Sequence, residues 1–174
     1  MEGKAILKWC KNLNIDWGSS YYKLSDNSIV KVQIWDTSGR TRVRNIIESY
    51  YKGPDCIILI YDICYKHTFN ECKNYYCEKI KQLCKDNIKV ILIGNKKDLE
   101  YKREISFEEA NSFALENNYI YMEASCQRNE NVFETFEKAI EMALIEKKKE
   151  NGNQLKSKNE NQFKSKKKED CLLI

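Results

Sequence analysis

The sequence predicts an open α/β fold, a doubly wound and mostly parallel sheet with helices on both faces, and three observations carry that reading. Apolar runs of strand length recur along the chain, and amphipathic helical stretches separate them. Two of the runs are apolar throughout, as strands buried on both faces must be. A chain of 174 residues, 42% hydrophobic and 32% charged, has material for one such core, so one domain is expected.

The first strand read from the pattern is Ile29–Trp35, which alternates along most of its length. Cys56–Tyr61 and Lys89–Ile93 are the continuous β-type runs, and Tyr119–Ala124 follows the same logic. Between them Phe69, Cys72, Tyr76, Ile80 and Leu83 share one helical face, and Val132, Phe136, Ile140 and Ala143 share another. Ser106-Phe107-Glu108-Glu109 is a capping box that opens a further helix ending near Asn117, and Asn131 with Glu134 is a candidate cap for the last one. Right-handed crossovers between such strands place ligand sites at their carboxyl ends.

After Ile145 the apolar periodicity stops. Residues 1–146 are therefore expected to form the domain, 147–170 a flexible basic linker and 171–174 a terminal motif. Lys147 to Asp170 holds nine lysines against four acidic residues, a surplus of five, while the whole chain is +4, so the remainder sums to −1. A near-neutral domain, with Phe163 as the one aromatic in the tail, speaks against nucleic-acid binding. Cys56–Tyr61 is too short to span a bilayer and the first residues lack the apolar stretch of a signal peptide, so a cytosolic protein is expected. Eight scattered cysteines without a CxxC pair, and the single His67, point to reduced thiols rather than a zinc site.

The strand ends carry the candidate chemistry. Trp35 leads into Asp36-Thr37-Ser38-Gly39, where an acid can hold magnesium through water and a glycine lets a backbone N–H approach a phosphate. The Lys89–Ile93 run leads into Gly94-Asn95-Lys96-Lys97-Asp98. A carboxylate there can accept both the N1 and N2 hydrogens of guanine, which adenine does not offer, and a lysine stem can lie over the base. Glu123-Ala124-Ser125-Cys126-Gln127 closes the next strand, with a backbone N–H for the guanine carbonyl oxygen. Taken singly, each is also ordinary turn chemistry.

In this order, at the ends of successive strands, they resemble the Ras-like GTPases. Lys31–Gly39 is similar to the family's KLQIWDTAG, Tyr50-Tyr51-Lys52-Gly53 to YYRG, Leu59–Ile63 to LVYDI and Leu13–Trp17 to IGVDF, which are features of Rab-type small GTPases. The resemblance runs from about Asn12 to Ile145. It implies a P-loop GTPase-like sheet, GTP or GDP with Mg2+ as cofactors, Asp36 at the metal and Gly39 at the phosphates. Asn95, Lys96 and Asp98 would read guanine, Ser125-Cys126 would support the base, and residues 40–51 would form a nucleotide-dependent switch. The partners implied are Rab effectors, exchange factors and the prenylation machinery, with the protein itself a monomer. Cys171-Leu172-Leu173-Ile174 fits a prenylation signal of the geranylgeranylated kind. Lys166-Lys167-Lys168 supplies the basic second signal for peripheral anchoring on the cytosolic face of an endomembrane.

The chain also departs from that family. It contains no GxxxxGK[ST], whose lysine lies roughly forty residues before the metal-side acid, further than Asp36 allows. The first strand and P-loop are thus expected to be missing, which puts both nucleotide and magnesium in doubt and makes an incomplete gene model one explanation. Gly3-Lys4 only faintly resembles the lost GK. Arg40 stands where the family has its water-orienting Gln and has donors only, so no catalytic residue is assigned. Asn12 stands where a switch Thr would ligate magnesium, and Gln127 replaces the usual Lys. Two functions remain open: a GTP-hydrolysing traffic switch, and a pseudo-GTPase that is a membrane-tethered interaction module.

Overall fold

The computed structural model of the chain describes residues 8–10, 15–24, 27–155 and 169–173. Within it the strands β1 (Lys8–Cys10), β2 (Ile15–Lys23), β3 (Ile29–Thr37), β4 (Cys56–Asp62), β5 (Lys89–Asn95), β6 (Ile120–Glu123) and β7 (Glu169–Leu173) form one sheet in the order β1-β2-β3-β7-β4-β5-β6. The β1/β2 and β2/β3 pairs are antiparallel and every other pair is parallel.

Because side chains alternate across a strand, the continuous apolar runs build two cores at once. Ile57, Leu59, Tyr61, Val90 and Leu92 face one side, where they meet Phe69, Cys72, Ile80, Ala110 and Ala114. Ile58, Ile91 and Ile93, with Val30, Val32 and Ile34, face the other and meet Ala139, Ile140, Ala143 and Leu144. Both faces are thus covered, and the predicted doubly wound α/β architecture is what the chain adopts.

The helices are α1 (Arg44–Ile47), α2 (Lys66–Glu71), α3 (Cys77–Leu83), α4 (Phe107–Glu116) and α5 (Val132–Leu155). Between α2 and α3 the five residues Cys72–Tyr76 make a π-helical turn. That turn holds one residue more than an α-turn, so the buried face steps from Cys72 to Cys77, and Tyr76, expected on it, is only partly buried. Helix α4 opens as its capping box predicts, with the Glu109 N–H donating to Ser106 Oγ at 3.0 Å. Asn131 differs from expectation: its Nδ2 donates to the Glu123 carbonyl at 2.7 Å, tying α5 to β6.

Two expectations at the end of the chain need revision. Helix α5 continues nine residues beyond Glu146, to Leu155, through the good helix formers Lys147–Glu150 and on through Asn151-Gly152-Asn153, whose propensities do not explain it. The segment read as linker end and terminal motif is also partly a strand: β7 lies between β3 and β4. Residues 156–168, with Lys166–Lys168, lie outside the described residues, as do Gly3, Lys4 and Asn12.

Gly94 on β5 shows how closely the sheet is packed. A Cβ there would sit 2.9 Å from Ile63 Cγ2, 2.9 Å from the Tyr121 hydroxyl and 3.0 Å from the Tyr61 hydroxyl. Gly94→Ala should therefore cost about 1–3 kcal/mol of stability, as overpacking does. An unchanged urea midpoint would show that these rings give way freely.

Candidate functional site

The chain leaves β5 through a left-handed residue, Lys96, at φ 69° and ψ 32°. A non-glycine in that region needs support, and the preceding side chain provides it: Asn95 Oδ1 accepts the Lys96 N–H at 2.8 Å and the Cys126 N–H at 3.4 Å. Lys96 Nζ pairs with Asp62 Oδ2 at the tip of β4, 2.5 Å away, and that carboxylate raises the lysine's pKa. Two residues on, Asp98 Oδ1 accepts the hydroxyl of the fully buried Ser125 at 2.5 Å, and Ser125 Oγ in turn accepts the Arg128 N–H at 3.0 Å. Asp98 Oδ2 has no protein partner among the described residues. All five residues expected on the base side, Asn95, Lys96, Asp98, Ser125 and Cys126, are thus gathered where β4, β5 and β6 end together.

An ionic clamp behind them escaped the sequence reading. Arg103 binds Glu123 in a fork, Nη1 to Oε1 at 2.8 Å and Nη2 to Oε2 at 2.9 Å, and donates Nε to Glu100 Oε1 at 2.6 Å. Tyr121 donates to the same Glu123 at 2.6 Å. Glu123 is buried, so a bidentate partner is what makes its charge tolerable. The clamp fixes the 3-10 segment Lys97–Lys102, which carries Asp98, against β6.

The end of β3, where phosphate contacts are expected, is more open. Asp36 lies directly across the antiparallel ladder from Asp16. It keeps contact with solvent, yet the protein around it and the Asp16 carboxylate raise its pKa, in that order of importance. A Cβ on Gly39 would meet only the Tyr76 hydroxyl, at 3.9 Å, so packing does not demand glycine there. Arg40 is exposed and extended. A cleft of about 270 Å³ is bounded by Asp36, Ile58, Ile60, Asn95, Cys126 and Phe136, so Asp36 and the loops after β5 and β6 open onto one space. A second, of about 610 Å³, lies between Asp36, Gly39, Arg44, His67, Glu71 and Tyr76.

At residues 17, 35 and 50 three aromatic rings run in a row. Trp17 and Trp35 face each other in register at 6.1 Å, and Tyr50 lies 5.2 Å beyond. All three are half-buried. Pattern reading treats such residues as core, because only the antiparallel register shows that they share one face.

A family model described as the Ras family matches residues 13–145. Among curated proteins, Ras-related protein Rab-4A of Danio rerio is 41% identical over 124 residues, which is 71% of this chain and 57% of that protein. Rab-4A of Homo sapiens is 40% identical over the same length, covering 56% of its own chain, and human Rab-4B is 40% identical over 57% of its chain. The matched stretch therefore spans little more than half the length of these relatives. It contains the sheet ends that bring Asp36, Asn95, Asp98 and Ser125 together, and the chain belongs to the Ras family, among its Rab-type small GTPases.

Proposed function

We propose that the chain is a guanine-nucleotide switch of membrane traffic, and the observation that carries the proposal is the pair of ties between the β5 and β6 loops. Asn95 joined to Cys126, and Asp98 joined to Ser125, hold a carboxylate with one uncommitted oxygen at the tip of an inner strand. That carboxylate accepts guanine N1–H and N2–H, and the exposed Lys96 stem, pinned at its far end by Asp62, lies over the base. The described residues offer no cluster of three metal-ligating side chains. Magnesium fits this chain only in the manner usual for that ion, through Asp36, water and the nucleotide's own phosphates. The ion would neutralise phosphate charge, and Asp36 would position it. Arg40 lacks an acceptor for a proton of the attacking water, so hydrolysis by this chain alone is slow.

The half-exposed Trp17, Trp35 and Tyr50 offer a rigid aromatic patch of the kind that anchors protein partners. It lies next to residues 40–51, so an effector seated there would sense the switch. No helix among the described residues is long and apolar enough to cross a membrane. Attachment would come from a prenyl group on Cys171 together with the tail lysines.

Three measurements test this reading. The recombinant chain should retain GDP and not ADP, and Asp98→Ala should weaken GDP by at least about 100-fold, roughly 3 kcal/mol for two charge-assisted hydrogen bonds; equal retention of both nucleotides would overturn the base assignment. Asp36→Asn should lose the magnesium dependence of GDP retention while melting at a higher temperature. A carboxyl whose folded pKa is raised costs stability as pH climbs above its unfolded value of about 3.8, so the gain should be absent in acid and grow toward neutrality. Detergent-phase partitioning of the chain from eukaryotic cells should vanish in Cys171→Ser, and identical partitioning would remove the lipid from the proposal.

A further inference from the structure

The inner position between β3 and β4 is filled by residues from the far end of the chain. Lys31, Val32, Gln33, Ile34 and Trp35 pair with Glu169, Asp170, Cys171, Leu172 and Leu173 in turn. On the other side Cys56 pairs with Leu172 and Ile57 with Leu173, where the pairing stops. From Ile58 onward β4 has no strand beside it on that side among the described residues. Ile60, an inner-strand isoleucine, is 45% exposed there.

The direction of α5 and the length of chain after it allow this placement. Lys147 Nζ meets Asp55 Oδ2 at 2.9 Å, and Asn87 Nδ2 donates to Glu146 Oε1 at 2.8 Å, so α5 runs antiparallel to the strands and passes the starts of β4 and β5. The helix ends eight residues later, roughly 12 Å further on. The thirteen residues 156–168 can span up to roughly 45 Å, ample for a return to the start of β7. A strand entered after such a helix is parallel to its neighbours, as β7 is. The register also sets Leu172 and Leu173, its apolar pair, beside the apolar start of β4, and Glu169 beside Lys31.

We propose that the gap between β3 and β4 is a strand-receiving slot, that Glu169–Leu173 is its occupant, and that the chain therefore holds its terminal cysteine inside the sheet until the strand is released. The slot half of this proposal stands on the pairing alone; the consequence for Cys171 rests on the lipid reading above. Prenyl transfer joins the lipid carbon to Cys171 Sγ as a thioether, releasing diphosphate and the thiol proton, and needs the segment free. Strand insertion and lipidation exclude one another.

Hydrogen exchange read by mass spectrometry on the full, unmodified chain decides the first half. Amides of residues 171–173 should exchange at least about 100-fold more slowly than an unstructured chain, a protection of the size given by a stable ladder. Exchange at the unstructured rate would overturn the slot. Leu172→Pro, which removes a ladder N–H, should abolish that protection and speed exchange in residues 31–35 and 56–57. If that variant does not fold, the exchange of the parent chain still decides. The geranylgeranylated chain should show residues 169–173 unprotected, and persistent protection there would refute mutual exclusion while leaving the slot intact. Absence of any lipid on Asp170→Pro, which disturbs the strand but leaves the Cys171–Ile174 signal intact, would fault the lipid reading alone when the variant is recovered from eukaryotic cells.

Discussion

An inner strand of a parallel sheet has to satisfy hydrogen bonds along both edges, because apolar layers cover both its faces and water cannot reach its backbone. Strand β4 is where this constraint concentrates. Its residues Cys56 to Leu59 are all buried, β5 satisfies one edge completely, and among the described residues the other edge is paired only as far as Ile57. The sheet depends on that edge. It joins the antiparallel β1-β2-β3 unit to the β4-β5-β6 unit, and the clefts around Asp36 open just where pairing ceases.

The two units differ in how their ends are organised. At the carboxyl tips of β5 and β6, side chains bond to the backbone of neighbouring loops, and the Arg103–Glu123 clamp supports them from behind. At the tip of β3 the carboxylates of Asp36 and Asp16 oppose each other instead. Neighbouring like charges raise energy even where solvent reaches them, as it reaches Asp36, and a nearby cation lowers it. One side of the site is therefore arranged in advance, whereas the other is poised for a positive charge.

Much of this was legible from residue order. Continuous apolar runs at 56–61 and 89–93 identify two-face burial, and the Ser106 box marks the start of α4, because both signals are local. Strand β2 escaped because its residues beyond Gly18 are mostly half-exposed or exposed, including Tyr21, so no burial pattern reveals it. The π-turn at Cys72 escaped because a single extra residue hides within a helical period. In the site, Asn95, Lys96 and Asp98 follow one strand and could be found together. The Arg103–Glu123 contact bridges twenty residues between different elements and has no sequence period at all. The terminal Leu172-Leu173 is the clearest limit: the same two residues satisfy a lipid-transfer pattern and an inner-strand pattern, and only the topology of α5 shows that the second is within reach.

The network around Ser125 bears on how damage to this protein would present itself. Ser125 is buried, holds Asp98 and receives the Arg128 N–H, while Asn95 supports the left-handed turn at Lys96. The residues gathered at the ends of β5 and β6 are thus also structural members of the loops. Loss of either would lower the amount of folded protein as well as its selectivity, and a screen for abundance alone would find them. Asp98 Oδ2 makes no such bond among the described residues, so changes that spare Oδ1 would leave abundance unaltered and escape such a screen.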